Sequence, residues 1–420
     1  MVTPSFLPNL ALDFTSGSLD NRITFTRTTG ASNPATYVNS SGLVTAATNN
    51  QPRFDYDPIT LLCKGLLVEE QRTNLFTYSE QFNDASWSKT NMTVTANAEV
   101  SPSGTLSADK LVENTASNVT HRLSKELTKA ASVITYTFSF YAKAAARSKV
   151  NVLIRGAATG GNAVQFQVNL DGTQISAPTA GGGWVAGSAS SVAVGNGWYR
   201  LSFTATSATE TSLFVVVDLM NNSNATAYTG DGTSGIFIWG AQLEVGAFPT
   251  SYIPTVASTV TRNADVATIT GTNFSSFWQA GRGGALVRAL PSIVSGTRPL
   301  VQFDDNTADN IIALRGNTTN PELYIVDGGA PQAQIDAGTI ASNTAYSLTG
   351  WWAANDCKAR KDSGAVVTDT TATIPTVTQA RLGSDGTNYL NGHLATINYY
   401  DQFSGQIYTR RKNKAVFNVI

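Results

Sequence analysis

Charge is what this 420-residue chain has least of: Lys, Arg, Asp and Glu make up 14% of it, against roughly 25% in an ordinary soluble domain. The 28 basic and 29 acidic residues leave a formal net charge of -1, so no surplus of one sign is available to neutralise a phosphate backbone or an anionic bilayer. A nucleic-acid partner and membrane insertion are not expected. Cysteine is nearly absent. Cys63 and Cys357 match no C-x-x-C or Cys/His spacing, which predicts two reduced, buried thiols and no disulfide framework. The two histidines, His121 and His393, have no Cys or carboxylate at ligand spacing, which argues against zinc. No stretch approaches the roughly 18 apolar residues that cross a bilayer, and runs such as Leu213 to Val217 have strand length. The start, Met1 to Pro8, lacks a basic region followed by a long apolar one, so no signal peptide is expected. Without that signal, sequons such as Asn91-Met92-Thr93 carry little weight. Also missing are an E-x-D-x-E strand, a G-x-S-x-G elbow, a P-loop and a dinucleotide fingerprint, and the chain is not expected to be an enzyme.

What is present is β-forming. Hydrophobic residues reach 42%, and polarity comes from Thr, Ser, Asn and Gly, which suit strand faces and turns better than helix surfaces. Ile134, Tyr136, Phe138 and Phe140 alternate with Thr135, Thr137 and Ser139, the pattern of a half-buried strand. The pattern returns at Val164 to Leu170 and at Tyr199 to Phe203. Asp171-Gly172, Asn196-Gly197, Asp231-Gly232, Asp327-Gly328, Asp385-Gly386 and Asn391-Gly392 offer the positive φ of tight hairpins. No long helical stripe or heptad appears; Thr409 to Val416 predicts at most a turn or two of helix.

A chain this long divides into two or three cores. The expected fold is all-β, with tandem antiparallel β-sandwiches. Residues 1–75 read as an N-terminal arm of irregular strands for attachment or packing between protomers, residues 76–260 as one sandwich and 261–420 as a second. The Pro-containing stretch Phe248 to Pro254 marks the crossing between them.

Two separated stretches carry a resemblance. Gly65-Leu66-Leu67-Val68-Glu69-Glu70-Gln71-Arg72-Thr73-Asn74-Leu75, with Ser79-Glu80-Gln81-Phe82 and Ala85-Ser86-Trp87-Ser88-Lys89, resembles a module of tailed-bacteriophage structural proteins. Ala241 to Gly246, Thr250 to Thr255 and Val260 to Asp265 resemble the closing part of the same module. Between them, Ala108 to Val112 and Gly197 to Phe203 are similar to carbohydrate-binding-module jelly rolls. Asn388 to Leu394 places the C-terminal third near concanavalin A-like or laminin G-like sandwiches. The resemblance implies a surface protein of a phage virion, either a tail fibre or spike component or a head decoration or head-fibre protein. Its partners would be capsid or tail proteins and host surface glycans. The weakly patterned arm suggests a homo-oligomer, a trimer by analogy with phage appendages.

Candidate sites follow from glycan chemistry, in which an exposed aromatic plane stacks on a sugar ring. Trp87, Trp198 and Trp239 lie in motifs or alternating strands and read as core. Trp184, after three glycines, is the better ligand candidate. Trp351 and Trp352, and likewise Tyr399 and Tyr400, must point to opposite faces of a strand, one inward and one outward. Asp304, Asp305, Asn306 and Asp309 hold enough hard oxygens for a structural Ca²⁺, but they lack the EF-hand spacing, so a solvated turn is the first expectation. Arg410, Arg411, Lys412 and Lys414 form a basic run that reads as a solvated tail or a dock for an acidic virion surface.

The expected function is non-enzymatic: a virion surface protein that decorates or cements the particle and touches host glycans. A receptor-binding tail-fibre adhesin is the alternative, and a polysaccharide-degrading tailspike is the second.

Overall fold

The computed structural model describes residues 7–27, 35–157 and 161–402. The chain is all-β, and the hairpin-linked strands of its sandwiches pair antiparallel, in keeping with the tight turns between them. It divides into two compact units, one of residues Thr26–Asp265 and the other of residues up to Phe25 together with those from Val266 onward. The boundary expected near residue 260 lies at Asp265, and the 75-residue arm is shared between the units. The basic run at Arg410, Arg411, Lys412 and Lys414 and the short helix expected at 409–416 lie outside the described residues.

The central unit is a sandwich of two six-stranded sheets. One sheet runs Val185–Ala193, Trp198–Thr206, Thr135–Ala144, Gly235–Val245, Leu106–Glu113, Met92–Val100. The other runs Gln174–Ala180, Ala163–Asn169, Lys149–Gly156, Ser212–Leu219, Arg122–Thr128, Ser88–Thr90. Alternation dictates the core. Phe138, Phe140, Leu201 and Phe203 from one sheet meet Val152, Ile154, Phe166 and Val217 from the other, all almost without exposure. At Asn196-Gly197 both residues take positive φ (51° and 77°), the conformation the hairpin from Val185–Ala193 to Trp198–Thr206 requires.

One strand departs from its pattern. Thr137 and Ser139, expected on a solvated face, are as buried as the phenylalanines beside them. The chain between Gly246 and Tyr252 covers that face: Thr137 Oγ1 donates to Gly246 O (2.8 Å), and Arg200 Nη2 joins Ser139 Oγ to Thr250 O. Beside it, Ala108, Tyr141, Trp198, Trp239 and Tyr252 form a second apolar cluster, with Val44 of the early hairpin Ala35–Val38/Val44–Ala47 packed on it.

The other unit pairs Leu10–Asp13 with Gly392–Tyr400, which continues through Arg282–Pro291, Tyr346–Ala353 and Cys357–Lys361 to Val367–Asp369. Its second sheet runs Val266–Thr270, Gln379–Leu382, Thr297–Asp304, Ile311–Asn317, Asn320–Asp327, Ala330–Asp336. The short helix Gly271–Ser275 carries Phe274 into an aromatic core. Neither cysteine forms a disulfide; Cys357 is buried as expected, whereas Cys63 is half-buried.

Candidate functional site

The aromatic shelf expected for a sugar is not formed by the residues proposed for it. Trp184 is buried (4% exposed), packs into the sandwich core and donates its Nε1–H to Glu210 Oε1 at 2.8 Å. The glycines before it turn the chain from one sheet to the other, so the ring enters the core. Trp351 and Trp352 do point to opposite faces, yet both are buried, at 8% and 0% exposure. Tyr399 is fully buried and Tyr400 half-buried. The reason for Trp352 and Tyr399 is Trp278, which sequence reasoning did not single out: its ring stacks on Tyr399 (centroids 5.1 Å) and on Trp352 (6.0 Å), and Phe274 stacks on Trp278 in turn. The signal for it was the apolar set Phe274, Phe277 and Trp278, whose helical spacing was obscured by the surrounding strands.

Other rings near the surface carry cations on their faces. Arg155 lies 4.7 Å from the Phe214 centroid and Arg315 3.6 Å from that of Tyr324. A face occupied by a guanidinium is not open to a pyranose.

The calcium reading is also corrected. Asp304 is not in a solvated turn; it is 1% exposed at the end of a strand. Its carboxylate accepts from Arg381 Nε (2.9 Å), Gln302 Nε2 (2.9 Å) and the Asn306 amide (2.9 Å). Asn306 Oδ1 accepts from Arg381 Nη2 at 2.6 Å, and Asp305 is engaged by Thr307 and Asn310. The Arg381 guanidinium therefore stands where a cation would be needed. Among the described residues, no group of three or more His, Cys, Asp or Glu side chains could hold a metal.

What the sequence motifs do build is a buried charged clasp. The strand Arg72–Asn74 pairs with Val260–Arg262 and brings the two resembling stretches side by side. Glu69 accepts from the Ser251 amide (2.8 Å) and Ser251 Oγ (2.7 Å), and it forms ion pairs with Arg53 (2.8 Å) and Arg262 (3.4 Å). Asp265 accepts from Arg27 Nη1 and the Glu69 amide, each at 2.9 Å, and from Arg53 Nη2. Asn74 Nδ2 donates to Ala241 O and Ile253 O, while its Oδ1 accepts from the amides of Phe76 and Leu243. Ser79 Oγ accepts from the Thr255 amide and contacts Tyr252 Oη, and Thr255 Oγ1 donates to Phe76 O. The two stretches are thus joined by side-chain and backbone hydrogen bonds at Glu69, Asn74, Phe76 and Ser79.

The electrostatics of the clasp are decided by pairing. Burial alone would raise the Glu69 carboxyl, but Arg262, Arg53 and the Ser251 hydrogen bonds outweigh it and hold the group well below the usual carboxylate range. Nearby, burial dominates instead. The Glu244 carboxyl is pushed up despite hydrogen bonds from Thr250, and Glu80, beside Tyr252, is pushed up in the same way. Arg27 and Arg53 belong to the clasp and were not anticipated as such. In a chain so poor in charge, arginines next to alternating apolar residues were the available sign.

Chemically the clasp is a set of buried ion pairs braced by hydrogen bonds from Ser251 and the Glu69 amide. It can fasten the start of the unit to its end. No protein-family model matches the sequence, and no curated protein matches it. Among solved structures, the chain is similar to domains LG4-5 of the mouse laminin alpha1 chain at 10% identity and a TM-score of 0.22, covering 67% of this chain and 85% of that one. It is likewise similar to the N-terminal CBM22-1–CBM22-2 tandem domain of Paenibacillus barcinonensis Xyn10C, at 10% identity and a TM-score of 0.26, covering 79% and 97%.

Proposed function

We propose that this chain is a structural protein on the surface of a tailed-bacteriophage particle, decorating or cementing the capsid, or forming a head fibre. The observation that carries this reading is the clasp. The residues through which the sequence resembles phage structural modules, Glu69, Asn74, Ser251, Arg262 and Asp265 among them, meet in one buried seam that closes a sandwich. The resemblance thus rests on a shared way of closing a domain, which suits a durable building block. Glycan contact is the weaker part of the proposal, because four of the five rings expected to stack on sugar, Trp184, Trp351, Trp352 and Tyr399, are buried and Tyr400 is half-buried. Cementing is therefore favoured over receptor binding by a tail fibre, and over polysaccharide cleavage.

Immunogold labelling of intact particles tests the reading. Label on the head is the expected result. Label confined to the tail tip would favour the adhesin, release of reducing sugar from host polysaccharide would favour the depolymerase, and purified particles without label would overturn the proposal.

A further inference from the structure

The central sandwich has four edge strands, and three of them are guarded against pairing. Met92–Val100 is broken by two register shifts, a positive φ at Asn97 and the charge of Glu99. Gln174–Ala180 carries Pro178 and two register shifts. Ser88–Thr90 has only three residues and carries Lys89. These are the devices by which sheets avoid edge-to-edge association. The fourth edge, Val185–Ala193, has nine residues without charge or proline. Its one irregularity lies between Ala186 and Ala189, and from Ala189 to Ala193 it pairs regularly with Trp198–Thr206.

The register shows which backbone groups face outward. Val194 N donates to Trp198 O, so the pairs 194/198, 192/200 and 190/202 are the hydrogen-bonded ones. The N–H and C=O groups of Ala189, Ser191 and Ala193 then point away from the sheet, where no further strand lies among the described residues. Beside them, Val192 is 56% exposed. Ser191 Oγ is buried without a hydrogen-bond partner.

We propose that this edge binds a second copy of the chain, by antiparallel pairing of Val185–Ala193 across a two-fold axis at Ser191. The pattern is self-complementary. Ser191 meets its own copy, and Ala189 and Ala193 meet each other, giving about six hydrogen bonds between copies. The two unpartnered Ser191 hydroxyls become neighbours on one face of the joined sheet, where cross-strand hydroxyls bond one another. Neither copy brings a charge to the seam. The association proposed is a two-fold dimer through this edge, distinct from the trimer that the arm suggested.

Sedimentation of the full chain across a dilution series, together with amide exchange, tests the proposal. The wild type is expected to sediment as two chains, with concentration-dependent protection at Ser191 and Ala193. Ser191→Pro removes an outward N–H that the monomer does not use, and Val192→Lys places a charge at the seam. Each should halve the sedimenting mass at unchanged thermal stability, while Leu106→Lys, at an exposed site in another strand, should not. A wild type monomeric at every concentration overturns the proposal, as does a dimer that survives Val192→Lys.

Discussion

Arg27 Nη1 donates to Asp265 Oδ1 at 2.9 Å, with the two side chains exposed by only 1% and 0%, although the residues lie 238 positions apart. Arg53 Nη2 and the Glu69 amide take the other carboxylate oxygen, so one side chain gathers three segments of the unit. Asp265→Asn removes the counter-charge that buried Arg27 and Arg53 share, leaving Arg53 its pair with Glu69. The expected loss is about 3–5 kcal/mol, the usual cost of breaking a buried pair from one side. Urea denaturation measures it, and an unchanged midpoint would show that the clasp contributes nothing to stability.

Acid should weaken the protein through Glu69. Its carboxyl is held below the ordinary value of 4.5, so its contribution is present above that value and is lost as pH falls towards the folded one. Glu244 works in the opposite sense. Its folded value is raised, so its contribution is complete below 4.5 and is lost as pH rises through the folded value. Glu69→Gln should flatten the acid limb of a melting-temperature profile, and Glu244→Gln should raise melting temperature at neutral pH relative to acid.

Lys125 predicts a third, alkaline signature. Burial against Trp87, whose ring centroid lies 4.7 Å from Nζ, pushes the ammonium down to about 8 from 10.5. Between those values the unfolded chain binds the proton more tightly than the folded one, so stability should rise with pH. Lys125→Met should abolish that rise in thermal melts taken across the window.

Trp184→Ala should cost about 3–5 kcal/mol through lost packing and release Glu210 from its hydrogen bond with the ring. Particles that retain the folded variant should adsorb to host cells as the wild type does. A selective loss of adsorption at full stability would restore the glycan-shelf reading and remove Trp184 from the core.

The strands and their turns were legible because both are local. A period of two needs only neighbouring side chains, and a positive-φ turn needs only a residue such as Asn196 or Gly197 that tolerates it. That was enough to determine an all-β chain with more than one sandwich and to place Trp87, Trp198 and Trp239 in cores. The inward or outward sense of Trp184, Tyr399 and Asp304 was not legible, because it depends on what covers a face. Trp278, in the segment that follows the short helix, lies over Tyr399, Arg381 reaches Asp304 from a neighbouring strand, and the turn at 181–184 swings Trp184 inward. Thr137 and Ser139 make the same point: their alternation was local, but their burial came from a segment more than a hundred residues away. The clasp depended most on the tertiary fold. Burying charges is favourable only when partners from distant segments arrive together, and the spacing of Arg27, Arg53, Glu69, Arg262 and Asp265 along the chain holds no trace of that meeting.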